Sequence, residues 1–448
     1  MTTILWPHQV EGKRRLLSGH ALLAWEPGTG KTFPAIAAGM QVDGPQLYLC
    51  PASLRLQIAD EARRLNSTLR VQVIERGASE IDDTADLVVC SYDMAAGQAL
   101  WKQLFARSWG SLVLDEAHYL KNKDAKRTRA VYGATLASRG ALWRKAKHVW
   151  ALTGTPVMNS PADLWTHYSR LFPEAIIDDF DGQFPLRFRA WVNRFCVLRF
   201  TQFGEQIVGG QNLDELRTKL APFIHRLTKH DVIDDMPELI VDTIRVNADS
   251  IAMDTLDDEA QEALQALRAV LAGGGSPDEL AALAVPLATL QRRIGLAKTQ
   301  PVADLIRDEL AGGAGKIIVF GLHPDVLRGI AERVGHAVVL DGRCSPRERS
   351  AAIQAFQRDE KVRVFCGQLY AAGTGLNLQV ADRVIFAEAA WTPAVNEQGI
   401  ARAYRAGQRR NVRVSFVALR GSIDEQVQAA LARKARMVSQ IIEKGEEK

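Results

Sequence analysis

The sequence predicts an α/β protein built from two parallel-sheet domains with a helical insertion between them. Three observations predict it. Short apolar runs alternate with helical patterns at the start of the chain, this alternation fades from about Pro161 to Gln300, and it returns from Lys316 onward. Strands spaced by helical segments make parallel sheets with crossover connections. Apolar runs without polar alternation suit strands covered on both faces. The boundaries read this way are 1–160, 161–300 for the helical insertion and linker, and 301–448.

The first domain's predicted strands are Ala21–Trp25, Gln46–Cys50, Asp86–Cys90, Ser111–Leu114 and His148–Leu152. The middle reads as helical at Phe188–Phe200 and Ile251–Leu271, is broken at Gly273–Pro277, and resumes from Asp278. The second domain's strands are Lys316–Phe320, Ala337–Leu340, Val362–Cys366, Val384–Phe386 and Val412–Val417. Ser422–Lys448 reads as one amphipathic helix with a charged end, and no internal repeat or low-complexity tract is visible.

Composition narrows the class. Hydrophobic residues make up 47% and charged residues 24% of the 448, as in soluble globular proteins. The net charge of +4 is too mild to signal nucleic acid by itself. Basic residues nevertheless cluster at Lys13–Arg15, Lys121–Arg129, Arg144–Lys147 and Arg402–Arg410. Each cluster is a solvated helix face or a phosphate-tracking surface, and local sequence does not choose. None of the five cysteines forms a CxxC pair, so reduced thiols are expected and a zinc knuckle is not. The start of the chain lacks a signal peptide's pattern, and no apolar run is long enough to span a bilayer. A cytoplasmic protein is expected, nucleoid-associated or in a host cytoplasm if viral, with no membrane partner.

The strongest motif is Glu26-Pro27-Gly28-Thr29-Gly30-Lys31-Thr32, directly after a predicted strand. Glycines let successive amides face one anion, and a following helix adds its N-terminus. Lys31 then reaches the β and γ phosphates of ATP, while Thr32 binds Mg2+. Asp115-Glu116-Ala117-His118 closes another strand. Carboxylates at a strand's carboxyl end face the nucleotide crevice. Asp115 is expected to hold Mg2+ and Glu116 to polarise the attacking water. Gln9 either hydrogen-bonds the adenine edge or is a surface glutamine. Leu152-Thr153-Gly154-Thr155-Pro156 either links Glu116 to the second domain or is a structural turn. Arg402 and Arg405, three apart on an expected helix, suit the γ-phosphate of a nucleotide held by the first domain. A structural or DNA-facing pair is the other reading.

In this order the motifs resemble superfamily 2 helicases, and more narrowly the Swi/Snf family of DNA translocases, across nearly the whole chain. Gln9 stands where the family has its adenine-reading glutamine. Gly28–Thr32 and Asp115–His118 match its first two motifs, extended by Tyr119-Leu120-Lys121-Asn122 in the Swi/Snf manner. Leu152–Pro156, Gly373–Asn377, and Trp391-Thr392-Pro393 with Gln398, Arg402, Arg405 and Gly407-Gln408 match later ones. Ile224–Asp231 resembles the Arg-Arg-x-Lys segment before the second domain. Trp25-Glu26-Pro27 departs from the usual Asp-x-Met. No histone-reading appendage is seen, which points away from nucleosome remodelling and toward a compact or DNA-annealing type.

The resemblance implies two tandem RecA-like domains, with Pro27 to Thr32 around the phosphates. It implies a DNA-dependent ATPase that translocates along duplex or branched DNA, with single-stranded DNA as a further partner. Expected DNA contacts are Ser53, Ser91, Tyr92, Lys121, Thr374 and Arg383. Three readings compete. An RNA helicase shares the ATP chemistry, but Leu152–Pro156 and Gly407-Gln408 oppose it. A strand-separating DNA helicase needs a wedge, and no segment reads as one. A scaffold with a dead nucleotide site conflicts with Lys31, Asp115, Glu116, Arg402 and Arg405 all being present.

Overall fold

The computed structural model describes residues 5–158, 160–176, 187–201, 204–232, 236–247, 284–372, 376–405, 407–422 and 424–425. They divide into two compact units, each carrying its own parallel sheet.

The first unit opens with helix α1 (Pro7–Leu17), strand β1 (Ala21–Trp25) and helix α2 (Thr32–Gly39). Pro7 starts α1 where its missing N–H costs nothing. Strands β2 (Gln46–Cys50), β3 (Val71–Val73), β4 (Leu87–Ser91), β5 (Trp109–Asp115) and β6 (Ala146–Leu152) follow. A hairpin of β7 (Cys196–Thr201) and β8 (Gly204–Gly210) follows in sequence, its residues 198–208 grouping with the second unit, and β9 (Ile224–Leu227) then returns to the first sheet. The strand order is β3-β4-β2-β5-β6-β1-β9. β1, β2, β4 and β5 are buried along their whole length, as their unbroken apolar runs predict. Leu23, Trp25, Tyr48, Cys50, Val113 and Trp150 build one shared core on that sheet.

The second unit holds β10 (Leu239–Val246), β11 (Ile317–Gly321), β12 (Ala337–Leu340), β13 (Val364–Gln368), β14 (Arg383–Phe386) and β15 (Val412–Leu419). Their order is β10-β15-β14-β11-β13-β12, every pair parallel. Along β11 the side chains alternate between two cores. Ile318 and Phe320 join one cluster, and Ile317 and Val319 join another. The sheet is therefore covered on both faces, as the apolar runs required.

The middle stretch departs from its helical reading. The helix Phe188–Phe195 gives way to β7 at Cys196, and β9 and β10 each complete one of the large sheets. The reason is local. Ile224-His225-Arg226-Leu227 and Leu239–Val246 are only partly buried edge strands, with polar residues among the apolar ones. β9 has no apolar run, and that of β10, Leu239-Ile240-Val241, breaks at Asp242. The helices Ala284–Ala297 and Thr299–Ala311 are found. The expected helix Ile251–Leu271, its glycine break, and the C-terminal helix beyond Glu425 lie outside the described residues.

Candidate active site

In the first sheet β4, β2, β5, β6 and β1 are parallel neighbours, so the loops that follow them share one edge. That carboxyl edge carries every first-unit motif of the sequence, in keeping with where parallel sheets bind ligands.

The glycine loop follows β1. Gly28 and Gly30 take φ of 93° and 79°, a region closed to most side chains. A Cβ on Gly30 would also lie 2.5 Å from Gln9 Nε2. Lys31 leads into α2, and its ammonium donates to the carbonyls of Trp25 at 2.9 Å and Glu26 at 3.3 Å. The Thr29 hydroxyl donates to the Glu26 carbonyl at 2.8 Å. Gln9 is buried against this loop and is not a surface residue. Its Nε2 donates to the Gly30 carbonyl at 3.3 Å and its Oε1 accepts from the Trp6 amide at 2.9 Å. His8 Nε2 lies 2.9 Å from the Thr29 carbonyl, so the first turn of α1 grips the loop twice.

Asp115 ends β5, buried. Its Oδ1 accepts from the Glu116 amide at 2.9 Å and its Oδ2 from the Tyr48 hydroxyl at 3.2 Å. Burial, with the neighbouring charge of Glu116, pushes the Asp115 carboxyl above its ordinary range, and the Lys31 ammonium works against that rise. Glu116 holds φ of 50°, a left-handed conformation that a non-glycine residue adopts at a cost. Its Oε2 is buried with no hydrogen-bond partner, 3.4 Å from His118 Nδ1. Burial keeps the His118 ring's pKa below its ordinary value, so that contact is not a firm ion pair. His118 Nδ1 also lies 3.2 Å from the Thr153 hydroxyl, which accepts from the Thr155 amide at 3.1 Å. The Leu152–Pro156 loop therefore meets the acidic motif through His118. Thr155 Oγ1 is likewise buried without a partner.

This set fits a magnesium-bound triphosphate. It offers a lysine at the head of a helix, a hydroxyl beside it at Thr32, a buried carboxylate at Asp115, and an unsatisfied carboxylate oxygen at Glu116.

Two supporting residues, Tyr48 and His167, escaped sequence reading, and a third, Arg226, lay within the Arg-Arg-x-Lys-like segment with no role assigned to it. Tyr48 steadies Asp115 from β2. His167 hydrogen-bonds the Ala117 main chain and lies 2.9 Å from the Tyr132 hydroxyl, and burial holds its pKa down to about 4. Arg226 on β9 donates to the Ala24 and Gly154 carbonyls. A tyrosine within an apolar strand is the only trace the first left in the sequence.

The expected DNA contacts divide. Ser53 is exposed on the turn Ala52–Leu54 after β2, and Lys121 is partly exposed after the turn Ala117–Leu120. Ser91 and Tyr92 are corrected. Both are buried, Ser91 caps the helix Tyr92–Ala95, and the Tyr92 hydroxyl donates to the Asp115 carbonyl at 2.8 Å. Arg383 is corrected too. It opens β14, at the opposite edge of its sheet from the strands' carboxyl ends, and pairs with Glu309 at 2.9 Å. Thr374 lies outside the described residues.

In the second unit the helix Pro393–Ile400 stops before Arg402 and Arg405, so they share a turn and not a helix face. They still converge. Arg402 Nη1 and Arg405 Nη1 reach the Leu376 carbonyl at 3.5 and 3.4 Å. Gln408 fixes the turn behind them, its amide donating to the Gln379, Ala381 and Ala403 carbonyls.

The chain matches two family models, the SNF2-related domain over residues 13–269 and the helicase conserved C-terminal domain over residues 298–407. It is 31% identical over 451 residues to the Xenopus tropicalis SWI/SNF-related matrix-associated actin-dependent regulator of chromatin subfamily A-like protein 1, covering 97% of this chain and 45% of that protein. It is 26% identical over 450 residues to the human DNA annealing helicase and endonuclease ZRANB3, covering 96% of this chain and 39% of that protein. The chain thus spans less than half the length of these relatives. The Sulfolobus solfataricus SWI2/SNF2 ATPase core in complex with dsDNA aligns at 24% identity and a TM-score of 0.46, covering 100% of this chain and 94% of that one.

Proposed function

The chain belongs to the SNF2-related family, and from that premise we propose that it is a DNA-dependent ATPase that translocates along duplex or branched DNA. The observation that carries this reading is the pairing of the Lys31 loop with the Glu116 carboxylate. One buried oxygen of Glu116, 3.4 Å from the His118 ring, has no hydrogen-bond partner at the edge where a triphosphate's terminal group would lie. Branched DNA is in keeping with a relative named a DNA annealing helicase.

In the proposed mechanism, the Gly28–Gly30 amides and Lys31 bind the phosphates and Gln9 meets the adenine edge. Thr32 and Asp115 would hold Mg2+, which would supply positive charge to the phosphate oxygens when bound. Glu116 orients and polarises the attacking water. Arg402 and Arg405 neutralise charge that develops on the γ-phosphate, a role worth about a thousandfold or more in rate. Ser53, Lys121 and Thr374 contact DNA phosphates, which gives affinity without sequence choice. Tyr92, Ser91 and Arg383 are left out of this path. A cytoplasmic location accompanies the reading; among the described residues, no helix is long and apolar enough to cross a membrane.

ATP turnover measured side by side with duplex DNA, forked DNA, single-stranded DNA and RNA tests it. Duplex or forked DNA stimulating most supports it, and RNA stimulating most overturns it.

Strand separation is the second reading, and one observation favours it. The β7–β8 hairpin carries Phe200 at 75% exposure, an aromatic able to stack on an unpaired base. Release of a labelled strand from a forked duplex, lost in Phe200→Ala, distinguishes it.

A further inference from the structure

Glu26 opens the glycine loop, and its side chain is held from β9. Arg226 Nη2 lies 3.5 Å from Glu26 Oε1, and the Lys229 amide donates to Glu26 Oε2 at 3.0 Å. The same guanidinium donates through Nη1 to the Ala24 carbonyl at 2.9 Å and the Gly154 carbonyl at 3.3 Å. Arg226 thus ties together the last turn of β1, the loop after β6 and the first residue of the glycine loop. Gly154 packs so closely on this loop that a Cβ there would lie 2.6 Å from Pro27 Cδ. The main chain agrees with the side chains. β9 runs parallel beside β1 with Ala24 opposite Arg226, and the Glu26 amide donates to the Leu227 carbonyl at 2.9 Å.

Arg226 is held at a cost. Its Nε is buried with no acceptor, a cost borne by the residue that makes the clasp. Glu26 in turn supplies the carbonyl on which Lys31 and Thr29 rest. The chain that leaves this clasp goes on to β10, the first strand of the second sheet.

We infer that Arg226 is a positioning residue of the nucleotide site, clasping Glu26 so that the strand leading into the second unit registers whether the phosphate loop is occupied. This rests on the reading of the Lys31 loop as a phosphate site. When phosphates draw the loop's amides inward, Glu26 moves with them, and Arg226 and the Lys229 amide follow.

The test uses the full chain as wild type, Arg226→Met and Arg226→Lys, with adenylyl imidodiphosphate and magnesium as the probe. Binding of the probe, steady-state kinetics with ATP and amide hydrogen exchange over residues 224–232 are measured together. In wild type, the probe slows exchange at Lys229. Arg226→Met loses that response and raises KM for ATP by about tenfold, as losing a charge-assisted contact predicts, with kcat changed far less. Arg226→Lys, which keeps the charge without the fork, restores part of both and carries the test if the methionine variant does not fold. Unchanged KM in both variants, or exchange at Lys229 indifferent to bound probe in wild type, overturns the inference alone. Failure of wild type to bind the probe overturns the phosphate-site reading along with it.

Discussion

The Tyr92 hydroxyl donates a 2.8 Å hydrogen bond to the main-chain carbonyl of Asp115. With the Tyr48 hydroxyl on Asp115 Oδ2, two tyrosines, one in β2 and one in the helix just after β4, brace one acidic residue, one by its side chain and one by its backbone. Tyr92 also stacks on Tyr119, their rings 5.9 Å apart and nearly coplanar at 11°. A residue expected to touch DNA is a strut beneath the acidic motif.

That placement makes a distinguishing prediction. Tyr92→Phe removes one buried hydrogen bond and leaves the Asp115 carbonyl wanting, a loss of about 1–2 kcal/mol in stability. ATP turnover falls with it, and DNA affinity stays as it was. Chemical denaturation together with a DNA-binding titration checks this. Weaker DNA binding at unchanged stability would return Tyr92 to the DNA surface.

Gly30→Ala strains the loop twice, through its φ of 79° and through the 2.5 Å approach to Gln9. The left-handed backbone alone costs an alanine about 1–2 kcal/mol. Nucleotide affinity is expected to fall at least about tenfold, read from titration with a fluorescent nucleotide. Gln9→Ala in the same background should recover part of the lost stability by removing the clash, while nucleotide affinity stays low because Gln9 is itself the adenine contact of the proposed mechanism.

Arg402→Ala and Arg405→Ala are each expected to lower DNA-stimulated turnover by about a hundredfold or more while nucleotide still binds. Lys31→Ala should lose nucleotide binding as well. Full turnover in either arginine variant would remove that residue from the proposed mechanism.

Acid should weaken the first unit. Burial holds the His167 and His225 rings down to about 4, against about 6.5 in an unfolded chain. Between those values the unfolded state binds more protons than the folded one. The share these two rings contribute is therefore full above about pH 6.5 and is lost as pH falls toward 4, and it outweighs the raised Asp115 carboxyl, which acts in the opposite sense over the same range. His20 and His118 shift in the same direction. Thermal unfolding followed from neutral pH to about pH 5 should show a falling midpoint, with a shallower fall in His167→Gln. A midpoint indifferent to pH in that range would contradict this.

Much of the fold was legible because buried parallel strands write themselves as apolar runs. Ala21–Trp25 and Gln46–Cys50 have the bounds expected of them. β9 and β10 were illegible because each is a partly buried strand whose partner lies far away in sequence. Arg226 and His225 stand opposite Ala24 and Leu23, some two hundred positions earlier. The glycine loop and acidic motif were legible because their chemistry needs particular residues in a row. Their supports were not, since Tyr48, His167 and Arg226 act through contacts that only the folded sheet creates. Tyr92 and Arg383 misled for a related reason. A polar residue near a motif reads the same whether it faces solvent or an internal partner.

The most direct measurement of the central claim is displacement of a triplex-forming strand from duplex DNA. The account predicts ATP-dependent release by the wild-type chain and none by Lys31→Ala. Steady ATP hydrolysis on the same DNA with the third strand left in place would contradict it, because ATP would then be consumed without movement along the duplex.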